Sequence, residues 1–309
     1  MSRALKAHLL LVLVTFIWGS TFVLIKGAVQ HDVSPLVFNL VRMTLATVAL
    51  ALIFHSDIRA IRGPSLRAGA LVGTWMWLGY EFQTTGIRHT TASKSAFITG
   101  LSVVLVPLFL SIFWKRRVNP WSVTGVVCAF AGMFLLTVPA GESVIGNWTS
   151  VNIGDVLTFA CAISFAFQII FLGRATERHA VGQIAFLQIA IAAAWMAISI
   201  PFARETAHLH LSKIVIWAIT ITGLFGTAAA FSIQAWAQQF TSPTHTALIF
   251  SLEPVFAWIT SYVVLGERLG LRAGLGAVMI LAGVLISELL GAASAPRGAE
   301  RKSSVRQVV

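Results

Sequence analysis

The feature that most constrains this chain is an internal repeat. Residues 80–101 read YEFQTTGIRHTTASKSAFITGL, and a divergent copy, FSIQAWAQQFTSPTHTALIFSL, begins at Phe231, 151 positions after Tyr80. The superposed identities are Gln83 with Gln234, Thr90 with Thr241, Ala96 with Ala247, Ile98 with Ile249 and Leu101 with Leu252. Self-similarity at a fixed spacing indicates a duplicated architecture. The chain is therefore interpreted as two copies of one structural unit.

Composition places both copies in a membrane. Hydrophobic residues make up 57% of the chain and charged residues 11%, whereas soluble domains have about 25% charged residues. The 22 Lys and Arg residues exceed the 11 acidic residues, giving a net charge of +11. Membrane proteins collect such residues in cytoplasmic loops without an anionic partner. We therefore expect contact with membrane lipid and no nucleic-acid partner.

Ten apolar segments have about the 20 residues needed to cross the hydrocarbon core. They lie at about 6–27, 33–54, 66–87, 91–113, 119–138, 151–173, 181–203, 211–237, 243–265 and 271–290. This pattern predicts an all-α membrane protein with ten transmembrane helices. The first segment is too long and too polar at its end to be a cleaved signal peptide, so we expect it to remain as helix one.

Basic residues predict the orientation. When the loops are counted alternately, one side receives fourteen Lys and Arg residues and the other seven, with Arg42 inside a helix. Since cytoplasmic loops carry the excess, both termini are expected in the cytoplasm. The sequence is interpreted as a multi-pass protein of a bacterial inner membrane, with a disordered cytoplasmic tail at 291–309.

A repeat of five helices is odd in number, so its second copy must enter the membrane upside down. The predicted units are residues 1–140 and 150–290. Continuing the same alignment places Gly125 on Gly276 and Gly132 on Gly283, and these glycines suit close helix packing. Inverted repeats of this kind form transporters that work by alternating access, with the substrate near the midplane.

Several of these pieces match a known family. They are Trp18-Gly19-Ser20, Arg42, Gln83 with Gly86-Ile87-Arg88, the run from Ala96 to Leu101 with Val106-Pro107, and Glu253-Pro254 through Leu265-Gly266-Glu267 to Gly276 and Gly283. The chain resembles the EamA-type permeases of the drug/metabolite transporter superfamily over helices one to ten. The family exports amino acids, other metabolites and drugs, so the resemblance implies a small-molecule exporter. It also implies a homodimer through helices five and ten.

The chain departs from this family in two places. Lys115-Arg116-Arg117 replaces the Gly-Glu-Arg pattern that Gly266-Glu267-Arg268 retains, and Glu81 stands where an apolar residue is usual. Charges inside a membrane are costly and mark functional sites. Arg42 and Glu81 are predicted at similar depth. One interpretation pairs them as ions; the other has Arg42 hold a substrate carboxylate while Glu81 binds an ammonium group or a coupling proton.

Helices four and nine contain the candidates for gating. Pro107 and Pro254 interrupt helical hydrogen bonding, and Glu253 precedes Pro254. We interpret Glu253 as structural or gating in preference to substrate-selecting. His245 has two interpretations, a proton relay and a satisfied interfacial histidine. With Glu81, these four residues form the predicted coupling and gating set.

Aromatic and amide side chains complete the predicted binding site. Trp77 and Glu81 are four residues apart and share a helix face. Glutamines in membrane helices form interhelical hydrogen bonds as an alternative to binding substrate, and single aromatic residues fill the bundle as an alternative to lining a cavity. The expected substrate-binding set is Trp18, Thr21, Arg42, Trp77, Tyr80, Glu81, Phe97, Gln188 and Gln234.

Other classes of function lack their sequence signals. The chain has no HExxH, GxSxG or P-loop pattern, so we expect no enzyme activity and no cofactor. Cys128 and Cys161 lie in apolar runs without a neighbouring histidine, so no metal site is predicted. The leading prediction is a secondary transporter exporting an amino acid or a related amphipathic metabolite. The alternatives are a multidrug or other metabolite exporter, a membrane scaffold without flux and a membrane-embedded enzyme.

Overall fold

The structure, a computed structural model, describes residues 2–29, 33–86, 89, 92–137, 152–202, 208–266 and 270–293. The first half contains α1 (Arg3–Val29), α2 (Pro35–Ile53), a short α3 (His55–Arg59), α4 (Gly63–Gly86), α5 (Ala92–Gly100), α6 (Ser102–Trp114) and α7 (Pro120–Thr137). The second contains α8 (Ile153–Thr176), α9 (Val181–Ser199), α10 (Lys213–Gly223), α11 (Ala230–Ala237), α12 (Pro243–Phe250), α13 (Glu253–Leu265) and α14 (Leu271–Ala293). A π-helical turn, Leu224–Ala229, joins α10 to α11.

Within the described ranges, nine helical stretches are long and apolar enough to cross a membrane. The tenth predicted crossing, α4, has 24 residues and a length of about 36 Å. It is less apolar because it carries glycines and polar side chains, among them Glu81, Gln83 and Thr84. It packs against α8 and α9, with Thr84 buried and Glu81 and Gln83 half-buried. The ten-helix prediction therefore agrees with the fold. Much of the predicted tail, residues 294–309, lies outside the described part.

Two membrane crossings are interrupted at equivalent positions. The first break, at Leu101, separates α5 from α6, and the second, at Ser251 and Leu252, separates α12 from α13. These are the positions that the repeat superposes. Pro107 lies inside α6, six residues beyond the break, while Pro254 is the second residue of α13, where its missing N–H has no helical partner in any case. Pro254 thus lies directly after the break in the ninth crossing, whereas Pro107 lies within the helix that follows the break in the fourth.

Helices α7 and α14 cross through their glycines. A Cβ atom placed on Gly125 would lie 2.5 Å from the Gly283 carbonyl oxygen, and one on Gly276 would lie 2.5 Å from that of Gly132. The early glycine of α7 thus faces the late glycine of α14, so the two helices run antiparallel. This is the orientation that an inverted repeat requires. The predicted structural role of these glycines is packing within the chain.

The core lies between the two repeats. Contacts between the repeats occur in symmetric pairs. The contact of α4 with α8 corresponds to that of α11 with α1, and the contact of α4 with α9 corresponds to that of α10 with α2. The contact of α1 with α13 corresponds to that of α8 with α6. In each case exchanging the repeats converts one contact into the other. The central apolar cluster includes Met43, Met76, Leu172, Ile189 and Phe231, all buried. Neither repeat buries its apolar surface alone.

Lys115, which stands where the family pattern has glycine, has a left-handed backbone conformation. Lys115 ends α6 with a φ of 51°, and Gly266, its equivalent in the second repeat, follows α13 with a φ of 68°. Both residues occupy the left-handed conformation that commonly terminates helices and that favours glycine. Lys115 thus keeps the backbone geometry of the family glycine. Residues Glu267 and Arg268 of the matching motif lie outside the described part.

Candidate functional site

Arg42 is the central buried cation. It lies in the middle of α2 with 7% of its surface exposed, and its guanidinium carbon is 4.8 Å from the centre of the Tyr80 ring on α4. Tyr80 in turn contacts the edge of Phe165 on α8, with the ring centres 5.5 Å apart. The Arg42 Nε atom is buried and has no hydrogen-bond partner among the described residues. The ion pairs found among the described residues do not include Arg42.

Glu81 faces a different helix. Its carboxylate accepts a hydrogen bond of 3.2 Å from the Ser199 hydroxyl at the end of α9, and one turn earlier Trp77 stacks on Trp195 with the ring centres 5.3 Å apart. Trp77 and Glu81 therefore share a face of α4, as expected. Adjacent residues are turned by about 100° around a helix, which separates Glu81 from Tyr80 and its neighbour Arg42. The direct Arg42–Glu81 ion pair is not formed.

Three buried glutamines form a hydrogen-bonded chain between three helices of the second repeat. Gln234 on α11 donates to Gln168 on α8 at 3.4 Å, and Gln168 donates to Gln188 on α9 at 3.1 Å. At most 2% of each side chain is exposed. The chain ends in one unused donor, the Gln188 amide nitrogen, and one unused acceptor, the Gln234 carbonyl oxygen. Buried polar atoms are rarely left unsatisfied, so these ends are suited to a polar ligand or water.

Trp18 joins α1 to the π-helical turn. Its indole N–H donates a 2.7 Å hydrogen bond to the Gly226 carbonyl oxygen, and its ring lies against Phe231 at 5.3 Å and Phe250 at 4.8 Å between centres. A π-helical turn displaces carbonyls from the regular helical pattern, which gives Trp18 its acceptor. Thr21 is buried, and its hydroxyl donates a hydrogen bond to the Trp18 carbonyl oxygen. In this conformation the polar atoms of both residues are used within the protein.

Glu253 begins α13 directly after the second helix break. Its side chain is partly exposed inside the bundle, and it interacts electrostatically with Tyr80. Its backbone lies against α1, because a Cβ atom on Gly19 would approach the Glu253 carbonyl oxygen to 2.8 Å. The interrupted helix nine therefore brings a carboxylate towards the Arg42–Tyr80 pair while packing closely on the first helix.

Two further predicted residues lie elsewhere. Phe97 on α5 packs against Phe130 and Phe134 of α7, with ring centres 5.3 and 5.5 Å apart. His245 lies at the start of α12, at the end of the bundle where α1 begins and α14 ends. It meets His8 and Glu288 there, and these three side chains are the described residues able to hold a metal ion. His245 is thus separate from the central site.

Sequence reasoning missed three participants. Gln168, the middle member of the glutamine chain, was recognisable as an amide inside an apolar segment. Phe165 and Ser199 carry no such signal, because one is apolar among apolar residues and the other is a small hydroxyl at a helix end. Their roles depend on which helix faces which. Only the packing of α8 and α9 on α4 identifies them.

Comparison with known proteins agrees with this arrangement. A family model described as the EamA-like transporter family matches residues 5–138 and 152–289. An uncharacterized transporter of Archaeoglobus fulgidus is 35% identical over 288 residues, covering 93% of this chain and 87% of the relative. The uncharacterized transporter YoaV of Bacillus subtilis is 21% identical, covering 91% and 96%.

A solved crystal structure has the same fold. It superposes with a TM-score of 0.76 at 18% sequence identity, covering 94% of this chain and all but 1% of the other. The family match extends over both halves of the chain, and the relatives are named as transporters. The protein is accordingly a multi-pass membrane transporter and not an enzyme, and the chain belongs to the EamA-like transporter family.

Proposed function

We propose that the protein is a secondary transporter that exports a small zwitterionic or amphipathic metabolite, most simply an amino acid. The observation that carries this proposal is Arg42, a buried guanidinium with an unpartnered Nε and no described carboxylate in ion-pair contact. A buried charge without a counter-charge is costly. A substrate carboxylate would supply that counter-charge and use the planar guanidinium for paired hydrogen bonds.

The neighbours of Arg42 favour a substrate with an apolar or aromatic part. Tyr80 offers its ring beside the guanidinium, and Trp18 and Phe231 extend the aromatic surface within the same apolar cluster. Glu253 brings a carboxyl group near Tyr80, which suits an ammonium group. The unused ends of the glutamine chain supply neutral hydrogen bonds. Together these groups match the two charges and the side chain of an amino acid.

Alternating access is the mechanism that this architecture favours. Discontinuous helices at equivalent places in two inverted repeats are typical of transporters whose substrate binds near the bilayer midplane. The breaks at Leu101 and at Ser251–Leu252 meet that description. We propose that α5, α6, α12 and α13 move about these breaks, with Glu253 and Pro254 at the hinge of one repeat and Pro107 beyond the hinge of the other. A coupling ion gradient or the substrate's own gradient supplies the driving force.

The proposal also includes the surroundings of the protein. The excess of basic residues on one side favours both termini in the cytoplasm, and we propose a bacterial inner membrane as the location. A homodimer through α7 and α14 would use their outer faces, since the glycine faces contact each other within one chain. Val127 and Val278 are exposed on those outer faces. Cross-linking through cysteines placed at these two positions in native membranes tests this arrangement.

The first experiment is efflux of a labelled amino-acid mixture from proteoliposomes, with and without an imposed pH gradient. Selective loss of one amino acid is the expected result, and it identifies the substrate. A rate that changes with the gradient indicates proton coupling. Retention of every amino acid, with efflux of drugs or other metabolites, would replace the proposed substrate class. Retention of all solutes would favour a scaffold.

Glu81→Gln tests the predicted coupling role. Glutamine keeps an oxygen that can accept the Ser199 hydrogen bond while removing the charge. We expect efflux to lose its dependence on the pH gradient or to fall by at least about 100-fold, the lower end of general acid–base effects on rate. Ser199→Ala is the matched control, since it removes the hydroxyl and retains the carboxylate. Wild-type efflux and pH dependence in Glu81→Gln would rule out the coupling role.

A further inference from the structure

Two histidines and a glutamate meet at the end of the bundle where α1 begins and α14 ends. His8 comes from α1, His245 from α12 and Glu288 from α14. His8 Nδ1 lies 2.8 Å from one carboxylate oxygen of Glu288, and His245 Nδ1 lies 3.4 Å from the other. One ligand atom from each residue falls within 4.8 Å of the other two. About a fifth to a quarter of each side chain is exposed.

The opposite ring nitrogens already have partners. His8 Nε2 lies 2.9 Å from the Thr241 hydroxyl oxygen, and His245 Nε2 lies 3.4 Å from the Ser122 hydroxyl oxygen. Behind Ser122, the Ser287 hydroxyl donates to it at 3.2 Å. A metal-binding histidine usually uses its second nitrogen in this way, because that hydrogen bond fixes the tautomer and orients the ring.

The tautomer of each histidine decides whether its Nδ1 donates to Glu288 or presents a lone pair to it. When both Nε2 atoms carry the ring proton and donate it to a hydroxyl, both Nδ1 atoms present lone pairs to the Glu288 carboxylate. Glu288 Oε1 is buried and makes no hydrogen bond with any described residue. Three converging acceptors repel each other unless a cation lies between them. In the tautomer with both Nε2 atoms protonated, the cluster has the charge pattern of a cation site.

We propose that His8, His245 and Glu288 bind a divalent transition-metal ion of the zinc type. Imidazole nitrogen with carboxylate oxygen suits zinc and its neighbours, whereas magnesium and calcium prefer oxygen alone. Ligands at about 2.0–2.1 Å from a tetrahedral zinc ion stand about 3.3 Å apart. The observed separations of 2.8 and 3.4 Å, which run to the two different oxygens of Glu288, lie on either side of that value, and the three ligand atoms all lie within 4.8 Å of one another. Water completes the fourth position.

The chain order explains why the sequence analysis predicted no metal site. The three ligands are separated by more than 200 and by about 40 residues, and no metal-binding motif links them. Bound there, the ion joins α1 of the first repeat to α12 and α14 of the second. Under the transport cycle proposed above, opening at this end separates the repeats, so the ion slows efflux. That consequence depends on the proposed function; metal binding does not.

The binding test uses the purified full-length protein in detergent, stripped of metal with a chelator and titrated with Co²⁺ and Zn²⁺. We expect one equivalent of Co²⁺ per chain with the visible absorption of a tetrahedral site, displacement by Zn²⁺, and no response to Mg²⁺. Absence of both the Co²⁺ spectrum and saturable Zn²⁺ binding in the wild type would overturn the proposal. This measurement requires no variant.

Variants assign the ligands. His8→Gln, His245→Gln and Glu288→Gln should each weaken binding by more than about 100-fold, and Thr241→Val by about 10- to 100-fold, the range for a group that orients a ligand. His55→Gln is the matched control, because His55 is exposed on α3. Melting in metal-free buffer checks that each variant folds. Unchanged affinity in all three ligand variants would refute this assignment.

Efflux from the proteoliposomes described above completes the test. Addition of Zn²⁺ should slow wild-type efflux and leave the Glu288→Gln rate unchanged. Metal binding without any change in efflux would refute the inhibitory consequence alone. Absence of efflux under every condition would refute the proposed transport while the binding measurement stands, so the two failures are distinguishable.

Discussion

Replacing Arg42 with lysine is expected to raise the half-saturation concentration for amino-acid efflux by about 10- to 100-fold. A buried hydrogen bond to a charged group contributes about 1.5–3 kcal/mol, and a lysine ammonium is a point charge that cannot reproduce the paired geometry of guanidinium and carboxylate. Arg42 has the required setting, since it is buried against the Tyr80 ring with an unpartnered Nε. The measurement is counterflow in proteoliposomes with the amino acid that the mixture assay identifies.

Two controls isolate the carboxylate contact. Arg174 also lies over an aromatic ring, 4.0 Å from the centre of Trp114, but at the end of α8, so Arg174→Lys should leave the half-saturation concentration unchanged. The amine formed by removing the carboxylate from the identified amino acid should bind wild type and Arg42→Lys equally. If Arg42→Lys transports the amino acid with wild-type apparent affinity, Arg42 does not hold a substrate carboxylate.

Substituting Gly276 with alanine is expected to destabilise the protein by about 2 kcal/mol or more, in the upper part of the range for overpacking. The added Cβ atom would lie 2.5 Å from the Gly132 carbonyl oxygen and 2.7 Å from the Leu136 backbone nitrogen. Backbone atoms cannot rotate away as a side chain can, so α14 must separate from α7. Thermal unfolding in detergent should show a fall in melting temperature of about 5 °C or more.

Gly274 provides a control two residues away. A Cβ atom on Gly274 has no neighbour within 4 Å, and replacing a helical glycine with alanine normally favours the helix by about 1 kcal/mol. Gly274→Ala should therefore melt at the wild-type temperature or above it. Equal melting temperatures for Gly276→Ala and Gly274→Ala would show that the close crossing of α7 and α14 does not limit stability.

The sequence predicted the helices because each depends on local composition. The apolar segments agree with the observed helices to within a few residues. The repeat also aligns Leu101 with Leu252, and the structure has a helix break at both residues. Apolar length and turn residues are local signals. Helix α4 is the weakest case, since its polar residues reduce the apolar signal, and the packing that makes them tolerable depends on other helices.

The contacts within the site could be identified only from the tertiary structure. From the sequence, Arg42 and Glu81 had the same predicted depth, which allowed an ion pair. The rotation of α4 instead directs Tyr80 towards Arg42 and Glu81 towards Ser199. One residue along a helix changes direction by about 100°, and only the packing of neighbouring helices determines which direction meets which partner.

The sequence by itself thus determined the membrane class, the duplication, the inversion of the second repeat and which polar residues lie inside helices. The hydrophobic composition indicates the membrane class, the fixed spacing of the repeat indicates the duplication, and the odd number of helices per repeat requires the inversion. The tertiary structure alone decided that Gln168 links Gln188 to Gln234, and that His8, His245 and Glu288 meet. The glutamines come from three helices of the second repeat, whereas His8 comes from the first repeat and His245 and Glu288 come from the second. Both meetings depend on how whole helices pack, which no local pattern encodes.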